Sequence, residues 1–156
     1  MFRIRKFKKA DTRKVALLII KTFRKFNTKK RHKKGAVQKY INYYDTKKNS
    51  FNKLYKNISK TPIFFLAIDK EKIVGIIRGK SQRIINLYVD GGYQKKGIGK
   101  ALINKFEKEA RKNKSKEIKI RASSYAVPFY KKMGYKKTTG IRFFIGLIIN
   151  PMKKSL

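Results

Sequence analysis

The spacing of apolar positions changes several times along the chain. FRIRKF (2–7) alternates apolar and basic residues, the period-two pattern of a half-buried strand. Asp11 or Thr12 then stands where an N-cap is needed, because apolar residues recur at three and four from Arg13 to Phe26. AVQKYINYY and FNKLYKNI repeat the helical spacing over one or two short pieces, and Pro62 closes that region. IFFLAID (63–69), KIVGIIRGK (72–80) and RIINLYV (83–89) are β-rich runs parted by turn-sized polar stretches, the signature of an antiparallel meander. From Gly97 to Lys112 the positions Ile98, Ala101, Leu102, Phe106 and Ala110 predict an amphipathic helix. EIKIRA (117–122) reads as a strand, SYAVPFYKKMGY (124–135) as a short helix ended by Gly134, and IRFFIGLII (141–149) as a final strand. With no internal repeat and no linker, one domain over 1–156 is expected.

Composition removes several classes of chemistry. The chain has no cysteine, which excludes a disulfide framework, a thiolate metal site and a cysteine nucleophile. His32 is the only histidine, so neither a histidine-based metal site nor a triad is expected. VALLII (15–20) and FFIGLII (143–149) are too short to span a bilayer, so no membrane association and a cytoplasmic location are expected. The net charge of +36, from 44 Lys and Arg against 8 Asp and Glu, raises nucleic acid as a partner. The basic residues are mostly lysines scattered through every segment, which points to a solvated basic surface and non-specific binding only. KKRHKKG (29–35) is the one dense run and suits a helix connection.

Between the third β-rich run and the amphipathic helix lies DGGYQKKGIG (90–99), with four glycines. A glycine-rich turn from strand into helix aims backbone N–H groups at an anion, and the helix N-terminus adds partial positive charge. The dinucleotide fingerprint G-x-G-x-x-G does not fit, since Gly97 and Gly99 are followed by Leu102 and the strand ends too early, although Glu117 lies near where the ribose acid would. The Walker loop does not fit either, since Gly99 and Lys100 are followed by Ala101. QKKGIG (94–99) does fit Q-x-x-G-x-G, and LYVDGGYQKKGIGKALI resembles the coenzyme A pyrophosphate loop of the GNAT superfamily of acyl-CoA-dependent N-acyltransferases position by position. SSYAVPFYKKMGY is similar to a second segment of that family, a helix with an aromatic pair that ends at Gly-Tyr.

The resemblance implies an α+β fold with a mixed, mainly antiparallel central sheet flanked by helices. It implies transfer of an acetyl group from acetyl-CoA, as co-substrate and without a metal, to a primary amine by direct attack in a ternary complex. Gln94, Lys95, Lys96, Gly97, Ile98, Gly99 and Lys100 then form the diphosphate cradle, with Gly97 and Gly99 letting the diphosphate approach the backbone. Leu87, Tyr88 and Val89 match the bulged strand whose free N–H meets the thioester carbonyl, and Tyr130 matches the tyrosine that donates to the leaving sulfur. Proton transfer from a tyrosine to a thiolate runs uphill by roughly 2 kcal/mol, which favours a hydrogen bond there. Ser123 stands where many relatives place an asparagine on the coenzyme, and a helix cap suits Ser123 or Ser124 equally. Arg83 occupies the place of the general-base glutamate of some relatives, and Asp90 reads first as a turn residue. A water relay, or an acceptor such as an α-amine that is about 10–20% neutral at pH 7, takes the base's place. The positive charge favours acidic small molecules or peptides as acceptors, with a monomer or homodimer as the working form. The alternative is a basic protein of this fold, associated with nucleic acid or ribosome, that modifies a ribosomal target or only binds.

Overall fold

The computed structural model describes residues 1–28 and 31–156, so Lys29 and Lys30 of the basic run lie outside the described residues. In chain order the elements are β1 (Arg3–Lys6), α1 (Thr12–Asn27), α2 (Ala36–Tyr44), α3 (Phe51–Ile58), β2 (Ile63–Asp69), β3 (Lys72–Lys80) and β4 (Arg83–Val89). They continue with α4 (Ile98–Lys112), β5 (Glu117–Ala122), α5 (Val127–Lys132), β6 (Lys136–Lys137), β7 (Arg142–Phe144) and β8 (Leu147–Ser155). The strands form one sheet in the order β1-β2-β3-β4-β5-β8-β6, with β7 paired to β8. Every pairing is antiparallel except β4 with β5. The expected mixed, mainly antiparallel α+β sheet is what the chain forms.

Both faces of the sheet are covered, which explains the continuous apolar run of β2. Ile63, Phe65 and Ala67 point into a core under α4 with Ile98, Leu102, Ile103 and Phe106. Phe64, Leu66 and Ile68 point the other way, into a core built with Val15, Ile19 and Phe23 of α1 and Leu54 and Ile58 of α3.

Four details depart from the sequence pattern. The run 141–149 is a hairpin, in which β7 turns back through Ile145 (φ 48) and Gly146 (φ 80), the two left-handed residues that a tight two-residue turn needs. β8 then runs on to Ser155 through polar residues the apolar pattern leaves out, because Lys153 and Lys154 are held in register by Lys119 and Ile118 of β5. The segment 124–135 opens as a single tight turn (Ser124–Ala126) before the short α5. Asp11 does not cap α1 with its side chain; its carboxylate accepts from the Lys8 N–H (2.8 Å) and from both Arg5 amino groups (2.8 and 2.9 Å).

The end of β4 is fixed by Asp90, a buried residue whose carboxylate accepts from Lys21 of α1 (2.9 Å) and from the Gly92 N–H (3.0 Å), with Lys72 at 3.7 Å. Burial alone would raise its pKa, but the Lys21 ammonium, the Gly92 N–H and the Lys72 charge hold it below the usual carboxylate range. A depressed folded-state pKa contributes stability that is present above the unfolded value near 3.9 and is lost as pH falls through the folded value. We therefore expect Asp90→Ala to cost about 1–2 kcal/mol at pH 7, and the gap from wild type to close as pH falls below about 4. Urea unfolding at pH 7, 4 and 2.5 measures both effects, and a gap independent of pH would remove the charge from the explanation.

Candidate functional site

β4 and β5 touch over two pairs only, Arg83 with Lys119 and Ile84 with Ile120. Beyond Ile84 no described residue of β5 pairs with β4, and the strands open into a cleft of about 850 Å³ lined from both sides, with Leu87 and Tyr88 on one wall and Ala122, Ser123, Ser124 and Tyr130 on the other.

The opened edge of β4 carries backbone donors. The Asp90 N–H donates to Val74 O (2.8 Å), and the register with β3 runs unbroken from Val89 opposite Gly75 to Asn86 opposite Arg78. Backbone groups alternate sides along a strand, so Asn86 and Tyr88 bond to β3 while Leu87 and Val89 turn theirs toward the cleft. The Val89 carbonyl on that side accepts from the Gln94 amide (3.1 Å). The bulge that the resemblance implies at Leu87–Val89 lies earlier: Ile85 is the extra residue, between the pairs Ile84–Gly79 and Asn86–Arg78. It places Leu87 and Val89 over the α4 core and Tyr88 over the α1 core.

The loop after β4 has the geometry of an anion cradle. Lys95 (φ 61) and Gly97 (φ 83) are left-handed, a backbone form that curls successive N–H groups toward one point. Gly97 is the N-cap of α4 without a side-chain cap, so the first-turn N–H groups of Ile98, Gly99 and Lys100 have no partner within the helix. A Cβ built on Gly97 meets nothing within 4 Å; the space beside it is open, and a side chain there would fill it. These residues fit a diphosphate. Ile98 is 2% exposed and anchors the turn in the core, whereas Lys95, Lys96 and Lys100 are exposed. Gly99 has a second reason to lack a side chain, since a Cβ there would come within 3.1 Å of the Phe129 ring. The Gln94 side chain is used twice, donating to Val89 and accepting from the Tyr125 hydroxyl (2.7 Å), while the Tyr125 ring stacks on Phe26 at 4.5 Å.

Tyr130 is 3% exposed, edge-on to Phe129 and Tyr135, and its hydroxyl reaches the cleft with no hydrogen-bond partner among the described residues. Burial, with a smaller contribution from Tyr88, pushes its pKa well above that of an ordinary tyrosine, so it keeps its proton. Ser123 lines the cleft but makes no side-chain cap; its carbonyl accepts from Ala126 (3.0 Å), and the neighbouring Ser124 hydroxyl accepts from Asn150 (3.1 Å).

Sequence patterns did not reveal a polar network behind Tyr88. The Tyr88 and Tyr40 hydroxyls are 2.7 Å apart, and the Asn86 amide reaches Tyr40 at 3.4 Å. Arg78, 4% exposed, donates to Asn86 (2.7 Å), Tyr44 (2.7 Å) and the Ile58 carbonyl (2.9 Å). The one visible signal was a lone arginine inside the apolar run of β3. Burial raises the pKa of both Tyr88 and Tyr40, so each hydroxyl keeps its proton. His32 is structural: its Nδ1 accepts from the Ile148 N–H (2.9 Å), which leaves the proton on Nε2 to donate to the Asn27 carbonyl.

Comparison with known proteins converges on this geometry. Residues 28–156 match the family described as an acetyltransferase (GNAT) domain. An uncharacterised N-acetyltransferase of Methanocaldococcus jannaschii is 24% identical over 150 residues, covering 94% of this chain and 66% of that protein, so the chain spans just under two thirds of that relative's length. A GCN5-related N-acetyltransferase structure from Rhodopseudomonas palustris superposes with a TM-score of 0.80 at 21% identity, covering 99% of this chain and 95% of that one. The PaiA N-acetyltransferase of Thermoplasma acidophilum, solved in complex with coenzyme A, has a TM-score of 0.75 at 21% identity, covering 100% and 99%. A cleft opened between parallel strands, a left-handed glycine at a helix start and the family match over most of the chain agree, and the chain belongs to the GNAT acetyltransferase family.

Proposed function

We propose that the protein moves an acetyl group from acetyl-CoA to a primary amine, with both substrates bound in the cleft at once. The observation that carries this is the continuity of donors along one edge: the cleft-facing amides of Leu87 and Val89 lead directly into the cradle at Gly97. Acetyl-CoA, when bound, supplies the acyl thioester.

The protein's own groups have distinct tasks. Unpaired N–H groups of the first turn of α4 hold the diphosphate, and the helix start contributes partial positive charge. The Leu87 and Val89 amides face the pantetheine arm and the thioester carbonyl, where a fixed donor lowers the energy of negative charge developing on oxygen. Tyr130 donates to the sulfur as it leaves. Its raised pKa makes it a still weaker acid than the thiol it faces, so it stabilises the thiolate by hydrogen bonding and keeps its proton. Asp90 is held ionised by two lysines at the end of β4 and does not act as the base. The amine's proton leaves through water, which favours an acceptor already partly neutral near pH 7, such as an α-amine.

Gly97→Glu places a carboxylate where the diphosphate sits, on a backbone that is already left-handed. Calorimetry should show acetyl-CoA binding lost, with stability lower by about 1 kcal/mol from the strained φ. Unchanged affinity would assign the cradle elsewhere. Tyr130→Phe removes a hydroxyl that has no protein partner, so melting temperature and acetyl-CoA affinity should stay as they are. Turnover, followed by free thiol release, should fall by roughly 10- to 1000-fold. A variant that melts lower yet acetylates at the wild-type rate would return Tyr130 to the core alone.

A further inference from the structure

The end of the cleft away from the α4 loop has a chemistry of its own. Arg83 begins β4 and Arg121 lies near the end of β5, and both line the cavity. Ile84 on one strand, and Ile120 and Ala122 on the other, are buried under α4, so strand alternation turns Arg83 and Arg121 to the opposite face, together with Lys119. Neither guanidinium has an ion pair or a hydrogen bond among the described residues, apart from the Arg121 group lying over the Phe144 ring at 3.8 Å. The acid nearest in the cavity lining, Glu117, is held by Lys119 (3.9 Å) and Lys153 (3.7 Å) and does not neutralise them. Burial, then the charge of Arg83, lowers the Arg121 pKa below its ordinary value, as expected of two cations lining one cavity without a counter-ion. Phe144, Ile145 and Leu147 of the hairpin close the same end.

This place does not serve the diphosphate. Arg83 and Val89 are at opposite ends of β4, about 20 Å apart at about 3.3 Å per residue, with the donor-bearing edge between them. We infer that Arg83 and Arg121 form an anion subsite for the acceptor, so that the amine accepted by this protein carries an oxyanion, a carboxylate or a phosphate, which the two guanidiniums hold while the amine points along the cleft to Leu87. The inference rests on the proposed acetyl transfer and names its acceptor class. Two planar guanidiniums suit a carboxylate or a phosphate better than lysines do, because each presents paired donors.

Three matched amines test it: ethanolamine, β-alanine and O-phosphoethanolamine, each titrated calorimetrically into the protein saturated with coenzyme A at 150 mM salt, where the scattered lysines are screened beyond about 8 Å. The expected result is that at least one anionic amine binds about 10- to 100-fold more tightly than ethanolamine, and the stronger of the two identifies the oxyanion. Arg83→Gln and Arg121→Gln should each reduce that preference, and the double variant should abolish it at unchanged melting temperature. Lys132→Gln, on the exposed end of α5, should preserve it. Equal binding of all three amines, no binding of either anion by protein that does bind coenzyme A, persistence of the preference in the double variant, or an equal loss in Lys132→Gln would each overturn the subsite. Failure to bind coenzyme A would instead defeat the acetyl-transfer proposal, and the same titrations without coenzyme then decide the subsite alone.

Discussion

Two residue pairs hold β4 to β5, against six that hold β5 to β8. A parallel pair can form only through a crossover, here α4, and its slanted hydrogen bonds are slightly weaker per residue than an antiparallel ladder. β5 therefore follows its antiparallel partner and leaves β4 after Ile120. The functional geometry depends on that departure. It exposes the Leu87 and Val89 amides, leaves Tyr130 in the opposite wall, and sets Arg83 and Arg121 on either side of the opening's narrow end.

Elements whose evidence is local were legible in the sequence. The three meander strands and α4 appear at or within a residue of their expected limits, because each apolar run is bounded by residues that stop it. Glycine spacing at 94–99 was informative because a left-handed residue and an uncapped helix start leave little choice of side chain. What stayed hidden depends on partners distant in the chain. The hairpin at Ile145–Gly146 reads as one apolar strand, since its turn includes an isoleucine at φ 48. The bulge at Ile85 is a relation between strands, and its one mark is Gly79 of β3, where a Cβ would collide with the Arg83 carbonyl. Gly99 looked like a phosphate glycine alone, and only the fold brings Phe129 against it. His32 looked like part of a solvated basic loop, yet it ties Ile148 to the end of α1.

The scarcity of acids gives each one weight. With 8 acids among 44 bases, a carboxylate placed in the interior is surrounded by candidates for pairing, and the buried ones all have partners. Asp11 holds Arg5, Asp90 holds Lys21, and Glu107, 3% exposed, accepts from Lys154 (2.9 and 3.1 Å) and from the Tyr135 hydroxyl (3.0 Å). Each joins elements far apart in sequence or fixes a turn. Arg78 is buried without any of these acids and is held instead by Asn86, Tyr44 and the Ile58 carbonyl, whereas Arg83 and Arg121 at the cleft have neither an ion pair nor a hydrogen bond among the described residues.

The short parallel seam also sets an order of assembly. β2 to β4 pair with one another through short turns and are complete by Val89, with α1 and α3 to cover one face. β5, although made soon afterwards, gains only two pairs from β4 and waits for residues 147–155 to supply its main partner. Long-range pairings form late because chain closure must precede the contact that rewards it. During synthesis the meander wall can close while the opposite wall still lacks a strand, and the cleft comes into being only when β8 arrives.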